Sequence, residues 1–307
     1  MPARSPRVTI ALFPGQGVQS SDMGRGLVEA APEVFEAASD ALGVDVAELC
    51  TEGQTGSADL SSTRWAQPAV LVCSIAAFRA LAGKIGSFVA AAGHSVGEYA
   101  ALVATDVLEL RDALRLVGER AEATDNAGRS TPSGMAAVMR IEQDDVRRIC
   151  DEHGISLAAD NGPGQFVVSG PVDNLTAAID AMSAAGAKCR RLDVSAAFHS
   201  PVMAPAADRL RSALDQTEFS EPSFEFWSTT TACPLRGPDE IRAALLDQLT
   251  APVRWRETID GLAKRIGNVF CDLGPGKVVA GLTKRLVEGA EIRTTQDLLV
   301  PATGGSA

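Results

Sequence analysis

The sequence predicts an α/β protein in which a smaller unit interrupts a larger one, and three observations predict it. The run Phe88-Val89-Ala90-Ala91-Ala92 is short, apolar and built of small residues, the composition of a strand buried on both faces. It leads through Gly93-His94-Ser95-Val96-Gly97 into an apolar helical stretch, the strand–turn–helix order of a nucleophile elbow. Between residues 128 and 197 the pattern changes to short strands and helices in the order βαββαβ, the ferredoxin-like plan.

The N-terminal element is Val8 to Phe13, a buried strand running into Pro14-Gly15-Gln16-Gly17. A glycine-punctuated loop at the C-terminal end of a strand is where open α/β sheets take ligands; a plain turn fits this segment equally well. Met23 to Leu42 is helical and broken at Pro32, Asp45 to Thr63 is short helix and loop, and Trp65 to Leu81 is a core helix. The elbow follows. Its glycines are required because the turn is too tight for side chains beside the serine, and the helix after it aims free N–H groups at the hydroxyl. Leu108 to Asn126 is a helix with Val107, Leu108, Leu110, Leu114 and Val117 as its buried stripe; Arg120 lies off that stripe, where an arginine is more often solvated or ion-paired than bound to substrate.

Gly128 to Gly134 is a linker-like run that opens the small unit. Strands are predicted at Met135–Met139, Ile155–Asp160, Gln165–Ser169 and Lys188–Val194, with helices at Gln143–Glu152 and Asp173–Ala185. The larger unit resumes with Phe198-His199-Ser200-Pro201. It continues through a helix to Leu214, a strand at Phe224–Ser228, helices at Glu240–Leu249 and Thr258–Ile266, a strand at Val269–Leu273, the Gly274-Pro275-Gly276-Lys277 loop and a helix to Leu286. This assigns residues 1–127 and 198–307 to the large subdomain and 128–197 to the small one. The run Pro301 to Ala307 reads as a disordered tail.

Charge and composition exclude several functions. A net charge of −11 disfavours nucleic acid as a partner. No segment is long and apolar enough to span a bilayer, and the N-terminus lacks a signal-peptide pattern. The six cysteines are scattered without metal-ligand spacing, which predicts reduced core thiols and a cytoplasmic location. Only three histidines exist. His94 is locked in the elbow and His153 ends an acidic, polar helix. By elimination His199 is the candidate base for Ser95, whose hydroxyl needs one to act as a nucleophile.

Five segments spread across the chain resemble one family. They are Phe13-Pro14-Gly15-Gln16-Gly17, Gly93 to Glu98, the helix bearing Arg120, Phe198 to Met203, and Gln248 to Trp255 with Gly274 to Lys277. Together they resemble the malonyl-CoA:acyl carrier protein transacylases and related acyltransferases of polyketide synthesis. The resemblance implies an α/β-hydrolase-like core with an inserted ferredoxin-like subdomain. It implies that Ser95 carries the acyl group as an ester, that His199 moves the proton, and that the N–H groups of Gln16 and Val96 form the oxyanion hole. Arg120 is then expected to pair with the malonyl carboxylate, and the Gln248 backbone carbonyl to orient His199. Val96 and Phe198 resemble malonyl-selecting members. The expected partners are malonyl-CoA and an acyl carrier protein, with no cofactor held by the chain, since CoA and phosphopantetheine arrive with the substrates.

The family pattern usually has glycine and methionine where this chain has Ala121 and Thr124, and polyketide relatives often have histidine at Ala196. Two other readings therefore accompany malonyl transfer: a discrete polyketide acyltransferase for an unusual acyl unit, and a hydrolase of acyl thioesters. For carrier docking, the basic candidates are Lys188, Arg190 and Arg191 in the small unit and Lys277, Lys284 and Arg285 after the glycine loop.

Overall fold

The computed structural model describes residues 8–194 and 196–299. The tail at 301–307 lies outside the described residues. Six strands form one mixed sheet in the order Cys233–Leu235, Glu225–Ser228, Ser87–Gly93, Val8–Phe13, Val269–Asp272, Glu291–Thr294. All neighbours run parallel except the edge strand Cys233–Leu235. Strand Val8–Phe13 is buried from Thr9 onward, as a central parallel strand covered on both faces must be. The alanines of the elbow strand face partners on both sides without bulk: Ala90, Ala91 and Ala92 each pair with residues of strands Val8–Phe13 and Glu225–Ser228. The register brings Phe13 opposite Gly93 and Leu12 opposite Asp272. Three loops consequently leave the sheet side by side at its carboxyl ends, the location where such sheets bind ligands.

The small unit is a four-stranded antiparallel sheet in the order Ser156–Gly162, Gln165–Pro171, Ser133–Met139, Lys188–Arg191. Helices Gln143–His153 and Val172–Ala184 pack on it around Val146, Ile149, Phe166, Leu175 and Met182. Two expectations change here. The run from Gly128 is not a linker at its start: helix Leu110–Ser130 continues through it, and the strand begins three residues later at Ser133. Buried Ala127 and Gly128 explain the continuation, because tertiary packing outweighs the low helix propensity of glycine. The strand expected to reach Val194 ends at Arg191, and Leu192, Asp193 and Val194 instead wall a cavity.

The loop at Val253 joins the large unit to the edge of the small sheet. Asp160 N–H donates to the Val253 carbonyl, and Val253 N–H to the Ala158 carbonyl, both at 2.9 Å. Beside this bridge Arg256 Nη2 lies 2.6 Å from Asp160 Oδ2, and Gln143 Nε2 donates to the same oxygen at 3.2 Å. Asp160 is buried and Arg256 half-buried. Asp160→Asn is expected to lower unfolding free energy by about 1–3 kcal/mol, because it strips the guanidinium of its counter-charge. Urea titration checks this, and an unchanged midpoint would refute the stitch.

Candidate active site

Ser95 stands at the bend between strand Ser87–Gly93 and helix Gly97–Ala104 with φ 53°, left-handed backbone that a side chain adopts only under constraint. The constraint comes from the flanking glycines. A Cβ on Gly93 would lie 2.0 Å from the carbonyl carbon of Gly97, and one on Gly97 would lie 2.5 Å from the Phe13 oxygen. The neighbouring atoms are backbone and cannot give way. Gly93→Ala is therefore expected to cost about 3 kcal/mol or more by overpacking, read as a fall in denaturation midpoint together with loss of activity.

His199 also has a positive φ, 58°. Ser200 caps the short 3-10 turn that follows, its hydroxyl donating to the Ala197 carbonyl at 2.6 Å, and this loop presents the imidazole to the elbow. Ser95 Oγ lies 2.9 Å from His199 Nε2. The other ring nitrogen, Nδ1, lies 2.8 Å from the Gln248 carbonyl and 3.1 Å from that of Ala251. Carbonyls only accept, so Nδ1 carries the proton and the lone pair at Nε2 faces the serine hydroxyl. Among the described residues no carboxylate meets Nδ1, so the arrangement is a dyad held by two carbonyls. Burial, reinforced by the Arg120 charge, pushes the imidazole pKa down to about 3.

Arg120 is only 2% exposed. Its Nη2 donates to Ser95 Oγ at 3.1 Å and to Gln248 Oε1 at 3.2 Å, and its Nη1 donates to Gln67 Oε1. Its Nε has no hydrogen-bond partner among the described residues. Among the described residues no carboxylate pairs with it, although a buried guanidinium ordinarily has one. Burial accordingly lowers its pKa. This buried cation faces a cavity of 520 Å³ between the two sheets, which Ser95, His199 and Phe198 also line.

Gln16 and Val96 line the same cavity. The Gln16 side chain is tied to Thr63 Oγ1 at 3.1 Å, and neither backbone N–H donates to another group of the described residues. Gln248 does not line the cavity; it acts from behind, with its carbonyl on His199, its Oε1 on Arg120 and its Nε2 on the Ser95 carbonyl at 3.2 Å. The structure thus brings all seven expected residues into one cluster.

It also adds partners that the sequence did not disclose. Gln67 holds Arg120 from helix Thr63–Leu81, and the only signal was a polar residue in a nearly all-apolar helix. His94 Nε2 reaches across to Asn161 Oδ1 of the small unit at 2.9 Å, with its ring against Trp255. Glu98 is wholly buried under the elbow and accepts from the Thr229 backbone and hydroxyl; burial lifts its pKa to about 7.

The acyl transferase domain model matches residues 11–299. The chain belongs to the acyl transferase domain family. This acyltransferase is 36% identical over 286 residues to the malonyl CoA-acyl carrier protein transacylase of Bacillus subtilis strain 168, covering 90% of this chain and 89% of that one. It superposes on the malonyl CoA-acyl carrier protein transacylase of Coxiella burnetii with a TM-score of 0.91 at 32% identity, over 96% of each chain. It also superposes, with a TM-score of 0.88 at 34% identity over 94% of this chain and 96% of that one, on a malonyl-transacylase solved in complex with a type II polyketide synthase acyl-carrier protein. No helix among the described residues of this acyltransferase is long and apolar enough to cross a membrane.

Proposed function

We propose that this acyltransferase moves a malonyl group from malonyl-CoA to the phosphopantetheine thiol of an acyl carrier protein through an ester on Ser95. The observation that carries this reading is the buried, carboxylate-free guanidinium of Arg120, 3.1 Å from the nucleophile. A site that keeps a desolvated cation unpaired is built for an anionic substrate group, and the planar fork suits a carboxylate.

The steps follow from the atoms present. His199 Nε2 takes the Ser95 proton as Oγ attacks the thioester carbon. The oxyanion is held by the free N–H groups of Gln16 and Val96. The C–S bond breaks, and Nε2 returns its proton to the leaving CoA sulfur. The carrier thiol then gives its proton to Nε2, attacks the ester, and Ser95 leaves with that proton, a ping-pong sequence. The chain needs no cofactor of its own, since CoA and phosphopantetheine come with the substrates. Phe198 lines the cavity, where its bulk would crowd a branched acyl group, a preference for an unbranched chain of about 1–3 kcal/mol. The parallel sheet with its elbow, and the small sheet's order 2-3-1-4, support an α/β-hydrolase-like core with a ferredoxin-like lobe. Six free thiols support a reducing, cytoplasmic setting.

For the carrier, Arg190 lines the cavity mouth, whereas Lys277 is occupied by Asp297 at 3.1 Å. Lys284 and Arg285 are exposed on helix Val278–Leu286, whose Val278 and Leu282 line the cavity. Replacing Lys284 and Arg285 together by glutamate is expected to raise the KM for an acidic carrier and leave that for malonyl-CoA unchanged. Equal carrier kinetics would remove this patch.

The decisive test is the intact mass of the protein after exposure to malonyl-CoA or acetyl-CoA, with and without carrier protein. A malonyl adduct on Ser95 discharged by the carrier thiol is the expected result. Loss of the adduct to water alone would make the protein a hydrolase, and loading only by a group without a carboxylate would overturn the malonyl assignment.

A further inference from the structure

Thr124 stands where the family pattern usually has methionine, one helical turn beyond Arg120, and it is fully buried. Its hydroxyl donates to the Arg120 carbonyl at 2.8 Å. The Ala121 carbonyl lies 3.2 Å from the same oxygen, so the hydroxyl proton points to the helix backbone and the lone pairs face elsewhere. Gln67 Nε2 donates to the hydroxyl oxygen at 3.3 Å. This contact reinforces the polarity that the guanidinium demands of a buried amide: with its NH2 held by Thr124, Gln67 presents Oε1 to Arg120, and Arg120 Nη1 donates to that oxygen. The reverse orientation would set an NH2 against the guanidinium and leave two buried donors without an acceptor, at a cost of about 1–3 kcal/mol each.

On the opposite side the same device recurs. Gln248 is anchored by its NH2 on the Ser95 carbonyl and turns Oε1 to Arg120 Nη2. Two neutral amides bracket the fork, each locked in polarity by a separate anchor. Both orient the cation without neutralising it, as a carboxylate would.

We propose that Thr124 is a positioning residue for the substrate carboxylate, acting through Gln67 to set the plane and reach of the Arg120 fork and so to favour acyl groups that carry a carboxylate. The inference rests on the reading of Arg120 as the partner of the malonyl carboxylate. A methionine thioether, only a weak acceptor, cannot hold the amide in this way.

The test compares Thr124→Val, which keeps the shape and removes the acceptor, with Thr124→Ser, which keeps the hydroxyl, using malonyl-CoA and acetyl-CoA in parallel. Thr124→Val is expected to lower kcat/KM for malonyl-CoA about tenfold, chiefly through KM, as loss of one buried hydrogen bond implies. Acetyl transfer should change far less, and Thr124→Ser should restore malonyl transfer. Gln67→Met, which removes the amide from the other side, should give the same split if the valine variant folds poorly. Equal losses with both acyl-CoAs, no loss, or failure of serine to rescue would overturn the role of Thr124. Arg120→Ala run alongside separates the two readings. If it discriminates the acyl-CoAs and the Thr124 and Gln67 variants do not, only the positioning inference falls. If it does not discriminate them, both fall.

Discussion

Arg120→Ala is expected to lower kcat/KM for malonyl-CoA by about 100-fold or more, corresponding to a charge-assisted, bidentate interaction of about 3 kcal/mol. Acetyl-CoA, which has no carboxylate, should be affected by only a few fold. The expectation follows from the missing counter-charge: the guanidinium is 2% exposed and its contacts are a hydroxyl and two amide oxygens. A second consequence concerns stability. Arg120→Met keeps much of the volume and removes a buried ion that no carboxylate contacts directly, so it should unfold at the same denaturant concentration as the wild type or a higher one. A steep fall in stability, or equal kinetic losses with both substrates, would identify Arg120 as a structural group instead.

The other large effect concerns His199. His199→Ala is expected to slow formation of the Ser95 adduct by about 10²–10⁴-fold, the usual contribution of a positioned base. Its pH dependence carries more information than the loss itself. Burial and the Arg120 charge hold the imidazole pKa at about 3, so the base stays unprotonated well below the usual histidine value of about 6.5. The acid limb of kcat/KM for acetyl-CoA should therefore lie far below that value. Removing the positive charge in Arg120→Ala should move the limb upward. An acid limb at the ordinary histidine pKa in both proteins would mean that the ring is solvated in solution and that the dyad geometry is wrong.

What could be read from the sequence was what local sterics dictate. Gly93 and Gly97 flank Ser95 because no Cβ fits at either position, and a requirement of that kind is written into five consecutive residues. His199 emerged by elimination among three histidines. Arg120 did not declare itself: it lies on the buried face of its helix, and its amide partners Gln67 and Gln248 come from 53 residues before it and 128 residues after it. The role of the Gln248 carbonyl was accessible only through family resemblance, since a backbone group leaves no mark on residue identity. The edge strands Cys233–Leu235 and Glu291–Thr294 went unread because three or four mixed residues acquire strand geometry from the neighbour they pair with. The helix running through Gly128 was missed for the converse reason, that packing overrode a composition typical of loops.

The stitch at Val253 has a consequence for how the imidazole is held. The carbonyls of Gln248 and Ala251 that hold the imidazole sit five and two residues upstream of that bridge, respectively, on the same short stretch of chain. Prising the lobes apart would therefore pull on the clamp behind the ring and, through His94 and Asn161, on the elbow beside Ser95. The orientation of the catalytic imidazole thus depends on how the two units are joined, and not on the large unit alone.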